Sequence, residues 1–354
     1  MRFPEDAGVV VGVDTHLDSH TAALCDGRGR LVAQLQVPAT AAGYARLLAW
    51  AEAAAQNATL AWAVEGTRHY GLGLARHLTS AGQHVEEIDA SRHVGKRRAG
   101  KSDAIDAVRA ARELLTRPQP AQMRADGDRE ALRLLMIDRD NAVASAKTAR
   151  TLLASVLVTA PAPLREWLGR IPRDRRATVC ASLACPRRAD RQTRVLHQTL
   201  ARLGQRIIML SRVASDLEKQ IAVLVEELAP GLVAAEPGVG ALTAAQVLLS
   251  FSHAGRIHSE AAFAMLSGTA PVPVSSGRTD RHRLNRLGDR QLNRALQVIA
   301  VSRMRGHPAT QAYLQRRRVE GKTDREIRRC LKRYLARHLY RILTSQPSPR
   351  PQTT

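Results

Sequence analysis

Val9-Val10-Val11-Gly12-Val13-Asp14 is the stretch on which the fold turns. A short apolar run rich in valine predicts a buried strand, and this one ends on a carboxylate. Leu60-Ala61-Trp62-Ala63-Val64-Glu65 repeats the pattern. Asp103 and Asp106 follow in Gly100-Lys101-Ser102-Asp103-Ala104-Ile105-Asp106-Ala107, at the start of a predicted helix, three apart and so on one helix face. Two strand-end carboxylates plus such a pair form the oxygen-ligand set that hard cations take. Paired Mg²⁺ ions suit in-line cleavage of phosphodiesters, with Mn²⁺ as a substitute. Each acid alone has a structural reading, since strand ends often carry Asp and the helix macrodipole favours Asp-x-x-Asp near an N-terminus. The four in this order, on these elements, carry the metal reading. His16 and Asp18 read as a solvated turn, although His16 is within reach of a phosphate or a metal-bound water.

The chain has 354 residues, enough for two or three domains, and a formal net charge of +22. That charge is unevenly spread. Residues 1–116 hold 13 basic and 13 acidic residues, whereas residues 271–354 hold 20 and 5, a net +15. The acidic cluster therefore sits in a neutral region, and the charge that attracts a polyanion is concentrated toward the C-terminus. Nucleic acid is the expected partner. Aromatics are only 3% of the chain, which favours contacts to the phosphate backbone over base stacking. Cys25, Cys180, Cys185 and Cys330 lack the paired spacing of a zinc site and read as thiols of a reducing cytosol. No apolar run is long enough for export or membrane spanning, so a cytoplasmic, nucleoid-associated bacterial protein with no membrane partner is expected.

The first third alternates short elements. Strands are predicted at 9–14, 21–25, 31–37, 60–65 and 84–88, with helices at 42–56, 70–81 and 102–117. The order β-β-β-α-β-α-β-α gives a mixed sheet with helices on its faces, which is the order of ribonuclease H-like nucleases. Beyond it, apolar 3-4 spacing runs from Leu132 to Val156, broken at Arg139, and again from Leu196 to Leu228 without a break. These spacings predict two long coiled-coil helices, packed within the chain or against another protomer. The Pro- and Arg-rich segment 161–191 reads as a loop-rich connection. Glu236-Pro237-Gly238-Val239-Gly240 resembles a glycine turn whose N–H groups meet a phosphate at a helix start. Two basic helices are expected near 291–305 and 323–342. The fold class is thus α/β plus all-α: a mixed-sheet domain over 8–120, a coiled-coil region over 126–229, a mostly helical domain over 230–344 and a disordered tail over 345–354.

Two further constellations bear on chemistry. Ser275-Ser276-Gly277 lies in a stretch with Arg278, Arg281, Arg283 and Arg286. A serine there is a candidate phosphoryl-transfer nucleophile with guanidinium groups to hold the phosphate. The alternative is a flexible basic loop that only grips DNA. His282 is a nearby candidate base. Arg325, Arg329 and Arg333 fall at helical spacing on the last helix and are expected to contact nucleic acid.

Taken together, Gly12-Val13-Asp14-Thr15-His16, Val64-Glu65-Gly66-Thr67, Gly100 to Ala107, Pro237 to Gly240, the Ser-Ser-Gly-Arg segment and Gly288-Asp289-Arg290-Gln291-Leu292-Asn293-Arg294-Ala295 resemble the DEDD transposases of insertion sequence family 110. The resemblance spans about residues 9 to 343. It implies a RuvC-like nuclease domain, a coiled-coil middle and a C-terminal transposase domain with a catalytic serine. It implies Mg²⁺ at Asp14, Glu65, Asp103 and Asp106, two ions per site, and a 5′-phosphoserine intermediate at Ser276, with Ser275 as the fallback. It further implies homodimers and homotetramers with a composite active site, guided to DNA by a non-coding bridge RNA. Leu17 stands where the family pattern carries Lys, and Arg68-His69 replace small residues. The alternative function is a nucleic-acid-binding protein or Holliday-junction-type nuclease without serine chemistry.

Overall fold

The computed structural model describes residues 8–56, 58–67, 69–88, 103–116, 121–122, 127–253, 256–274 and 282–345. It divides into two compact units, Met1–Ala125 with Phe251–Phe263 and Tyr340–Thr354, and Asp126–Ser250 with Ala264–Leu339.

In the first unit, β1 (Val9–Thr15) is central and buried along its length, as a run of β-branched residues allows. It pairs antiparallel with β2 (Ser19–Asp26), which pairs antiparallel with β3 (Leu31–Pro38). The β2–β3 turn is closed by Asp26, whose Oδ1 accepts from the N–H groups of Arg28 and Arg30 at 2.9 and 2.8 Å. β3 is an edge strand and alternates exposed with half-buried residues. Next come α1 (Ala41–Ala55), with Thr40 as its N-cap, β4 (Leu60–Glu65), α2 (Leu72–Ser80), β5 (His84–Ile88), α3 (Asp103–Thr116) and the two-residue β6 (Ala121–Gln122). The strand order is β3-β2-β1-β4-β5-β6, with β4 and β5 parallel to β1 and β6 antiparallel to β5. This mixed sheet is compatible with a ribonuclease H-like domain.

The two faces of the sheet are packed differently. Val11, Val13, Leu24, Trp62 and Val64 meet Leu47 of α1 and Leu74 and Leu78 of α2. On the other face, small residues dominate: Val10, Ala61 and Ala63 meet Ala110, Ala111 and Leu114 of α3. Gly12 lies on this second face, and a Cβ there would stand 2.0 Å from the carbonyl oxygen of Ala107 and 2.4 Å from the nitrogen of Ala111. The backbone of α3 rests directly on β1.

In the second unit, α4 (Asp128–Val158) and α7 (Arg191–Leu228) pack along one another. They run antiparallel, since Arg139 reaches Glu218 and Arg150 reaches Ser211. Ala142, Ala146, Ala149 and Leu153 are buried on α4, and Leu203, Ile207, Ala214 and Leu217 on α7. Arg139, which interrupts the apolar spacing, is matched by the Glu218 carboxylate at 2.6 Å.

The connection between these helices corrects the loop-rich expectation for 161–191. It contains α5 (Ala162–Arg170) and α6 (Arg176–Ala181). Pro161 and Pro163 fall at the start of α5, where the missing N–H would have no helical partner and the fixed φ suits the first turn. Leu168, Ala177 and Cys180 are buried with Leu200 and Leu203 of α7, so this end has its own core.

The rest comprises α8 (Leu232–Ala235), α9 (Ala241–Phe251), α10 (Glu260–Leu266), the hairpin of β7 (Val272–Pro273) and β8 (His282–Arg283), α11 (Arg290–Gly306), α12 (Pro308–Val319) and α13 (Asp324–Ser345). Helix α12 adds to the two basic helices expected from the sequence, and it too begins on a proline. The expected disordered tail, after Ser345, lies outside the described residues. In the turn at 236–240, Glu236 pairs with Arg303 at 2.7 Å and with His338 at 2.9 Å, and Arg303 also donates to the Pro237 carbonyl. The Gly240 N–H donates to Thr243 Oγ1 at 3.0 Å. The turn is thus tied to α11 and α13 through Glu236 and Pro237.

Candidate metal centre and nucleic-acid interface

The contact at Gly12 sets the geometry of the acidic site. Asp14 is the next residue of β1 on the same face, about 6.8 Å further along the strand. Asp103 is one turn before Ala107, about 6 Å along α3. Strand and helix therefore bring Asp14 and Asp103 to one place. The parallel β1–β4 register pairs Val13 with Val64, which sets Glu65 beside Asp14, and Thr15 Oγ1 donates to the Glu65 carbonyl at 2.9 Å. Asp106 lies one turn into α3 and pairs with Arg109.

Asp14 and Glu65 both feel the charges of their acidic neighbours. Burial raises the Asp14 carboxyl above its usual range; His16 opposes this, while Asp103 and Asp106 add to it. Burial also raises Glu65, followed by repulsion from Asp14 and Asp106, against which Arg109 works. His16 is not the bystander of a solvated turn. Its Nε2 stands 3.2 Å from Asp14 Oδ2 and 3.4 Å from Asp103 Oδ1, and one ligand atom from each of the three lies within 4.8 Å of the others. The signal available in the sequence was the Asp14-x-His16 spacing. Because β1 continues past Asp14 to Thr15, alternation puts Asp14 and His16 on one face, which a solvated turn would not do.

An oxygen-rich donor set with one imidazole beside it is compatible with a divalent cation of the Mg²⁺ or Mn²⁺ kind. Two carboxylates, Asp14 buried and Glu65 half-buried, whose ionised forms are disfavoured by burial and by charge repulsion gain most from such an ion.

The serine constellation is only partly described. Ser275, Ser276, Arg278 and Arg281 lie outside the described residues. Arg283, on β8, and Arg286 are exposed. What the structure does define is the foot of the β7–β8 hairpin that flanks these serines. Gly288 has φ +102°, and a Cβ there would stand 2.3 Å from the Leu266 carbonyl oxygen. Asp289 caps α11 by accepting from Gln291 and Leu292 and takes the Ser250 hydroxyl at 2.6 Å. Asn293 donates to the Ser267 carbonyl and accepts from Lys332. The Gly288-Asp289…Asn293 motif thus ties α10, α11 and α13 together beneath the hairpin.

On α13, Ile327, Leu331 and Leu335 are buried, whereas Arg325 and Arg333 are exposed and Arg329 is half-buried. Among the described residues none of these three arginines makes an ion pair. No helix among them is long and apolar enough to cross a membrane.

The fold and the acidic cluster define the class: an α/β domain with a carboxylate site at the ends of its central parallel strands, joined to a basic helical region. Comparison with known proteins makes this particular. The family model of IS110-type DEDD transposases, described as "Transposase", matches residues 11–160, and that of "Transposase IS116/IS110/IS902 family" matches residues 232–315. This chain belongs to the IS110 family of transposases. The "Insertion element IS110 uncharacterized 43.6 kDa protein" of Streptomyces coelicolor is 40% identical to it over 111 residues, which is 30% of this chain and 27% of that relative.

Proposed function

We propose that this chain is the recombinase of an insertion sequence, which cuts and rejoins DNA through its acidic site and a serine nucleophile. The meeting of Asp14, His16 and Asp103, with Glu65 and Asp106 close enough to bear on the same charge, supports the reading. Bound Mg²⁺, two ions per site, would supply Lewis-acid stabilisation of charge on phosphate oxygens. The protein's own contribution is to hold four carboxylates and His16 in fixed register, so that binding costs little rearrangement. Ser276, with Ser275 as the alternative, attacks a DNA phosphorus; the P–O3′ bond breaks, and the strand is held as a 5′-phosphoserine while its 3′-hydroxyl is released. Attack by another strand's 3′-hydroxyl reverses the step and restores the serine, so no external energy source is needed. Arg278, Arg281, Arg283 and Arg286 hold the phosphate, and Arg325, Arg329 and Arg333 hold backbone further away.

Self-association into dimers and tetramers through the coiled coil, with a composite active site, and guidance by a bridge RNA belong to the same proposal. They rest on membership of the family. Incubation with element-end DNA and Mg²⁺, followed by SDS denaturation, tests the central claim. A covalent protein–DNA adduct is expected from the wild type and is lost in Ser276→Ala. Cleavage without any adduct would favour the second reading, a junction nuclease that uses the acidic site alone.

A further inference from the structure

The end of the α4–α7 pair, residues 161–194, lies between the two regions matched by the family models. It carries nine arginines against Glu166, Asp174 and Asp190. Of the nine, Arg176 turns inward and donates to the Gly169 and Ile171 carbonyls; the other eight are exposed. Among the described residues, Arg165, Arg170, Arg173, Arg187, Arg188 and Arg191 make no ion pair. Some arginines of the same unit are matched instead, as in Arg133–Glu130, Arg139–Glu218 and Arg318–Asp324.

Stability alone does not ask for this arrangement. Like charges crowded on one small surface repel. Asp190 caps α7 through the Thr193 N–H, but the first turn then holds Arg191 and Arg194 and no acid. Cations there add to the positive end of the macrodipole instead of offsetting it. The core of Leu168, Ala177 and Cys180 keeps the surface ordered before any partner arrives, which lowers the entropic cost of binding. Trp167 stands 46% exposed on α5, whereas Trp62 is fully buried and Trp50 packs on the sheet core.

We propose that this arginine-rich, tryptophan-bearing end of the helix pair is a second nucleic-acid-binding surface, separate from the C-terminal basic helix. Its arginines match a phosphate backbone, which takes guanidinium groups bidentately, and Trp167 offers a flat face to sugar or base. The proposal deepens the nucleic-acid reading above and rests on it for the choice of probe.

The test uses the full chain and a random-sequence DNA duplex about three helical turns long. Trp167 is the indole that such a probe can reach, so its emission should be quenched on binding, and Trp167→Phe should lose that response. Combined Arg165→Glu, Arg173→Glu and Arg188→Glu should keep the wild-type melting temperature. The dependence of log affinity on log salt should become shallower by about 2–3, the share of three phosphate contacts. Combined Arg325→Gln, Arg329→Gln and Arg333→Gln should retain the Trp167 quench. If that C-terminal variant binds like the wild type while the 165/173/188 variant does not, the C-terminal reading fails and this one stands. Unchanged affinity and slope in the 165/173/188 variant would overturn the proposal. So would a Trp167 emission that ignores saturating duplex, or one that responds only to polyglutamate, which would mark a site for acidic protein.

Discussion

The end of β1 is shaped by a backbone contact, whereas α13 and the α5–α6 end of the helix pair are marked by charge density. In the first region Gly12 and a face of alanines let α3 lie on the sheet, and two carboxylates meet because strand and helix advance by similar distances. In the second, the proposed binding of a polyanion would act over a Debye length, so the position of any one arginine should matter little. The neutral first region, with 13 basic and 13 acidic residues over 1–116, needs exact shape; the C-terminal one, with net +15 over 271–354, needs only a stable scaffold. Sensitivity to substitution should therefore differ sharply between them.

Gly12→Val should be the most damaging single change. Its side chain would meet the Ala107 carbonyl, and relieving that overlap should cost about 3 kcal/mol or more and lift α3 from β1. Both a lower melting temperature and loss of DNA cleavage are expected; a stable, active variant would break the geometric account of the site. Asp106→Asn separates chemistry from folding. It should abolish cation-dependent cleavage while leaving the melting temperature and duplex affinity near wild type, and full recombination by it would remove the carboxylates from the mechanism.

Changes in the basic region should be graded instead. Neutralising Arg325, Arg329 and Arg333 together should flatten the salt dependence of binding by about 2–3 on the log–log slope, with each single change giving about a third of that. One arginine carrying the whole effect would mean that this region, too, reads position.

The smallest effect tests the cost of the acidic site. The Asp14 carboxyl is raised in the folded chain, so its ionised form is the destabilising one. That cost is present above the raised value and is relieved as pH falls through it toward the ordinary 3.8. Asp14→Asn should therefore melt roughly 2–4 °C higher than the wild type at neutral pH in chelator, on the order of 1 kcal/mol, and the difference should shrink on acidification. Adding Mg²⁺ should raise the wild type's melting temperature and not the variant's. A variant less stable than the wild type in chelator would contradict the cost of burying an ionised Asp14 beside other acids.

Much of this was legible without coordinates, for one physical reason: period-two and period-3.6 hydrophobic patterns are local. Val9–Asp14 and Leu60–Glu65 declare themselves as strands ending in acids, and Leu196–Leu228 as a long amphipathic helix, from neighbours a few residues away. Their order along the chain was enough to expect a mixed sheet with helices on both faces. The same local reading misleads at 161–191, where proline reads as a loop signal and Pro161 instead begins a helix. Charge could be counted in the sequence too, although not whether an arginine would find an acid. Tertiary structure alone decided that α3 would rest on Gly12, that His16 would stand between Asp14 and Asp103, and that Arg139 would meet Glu218 while the arginines of 161–194 would not be matched. Each of these joins residues dozens of positions apart, and such contacts are selected by how whole faces pack, which no short window of sequence contains.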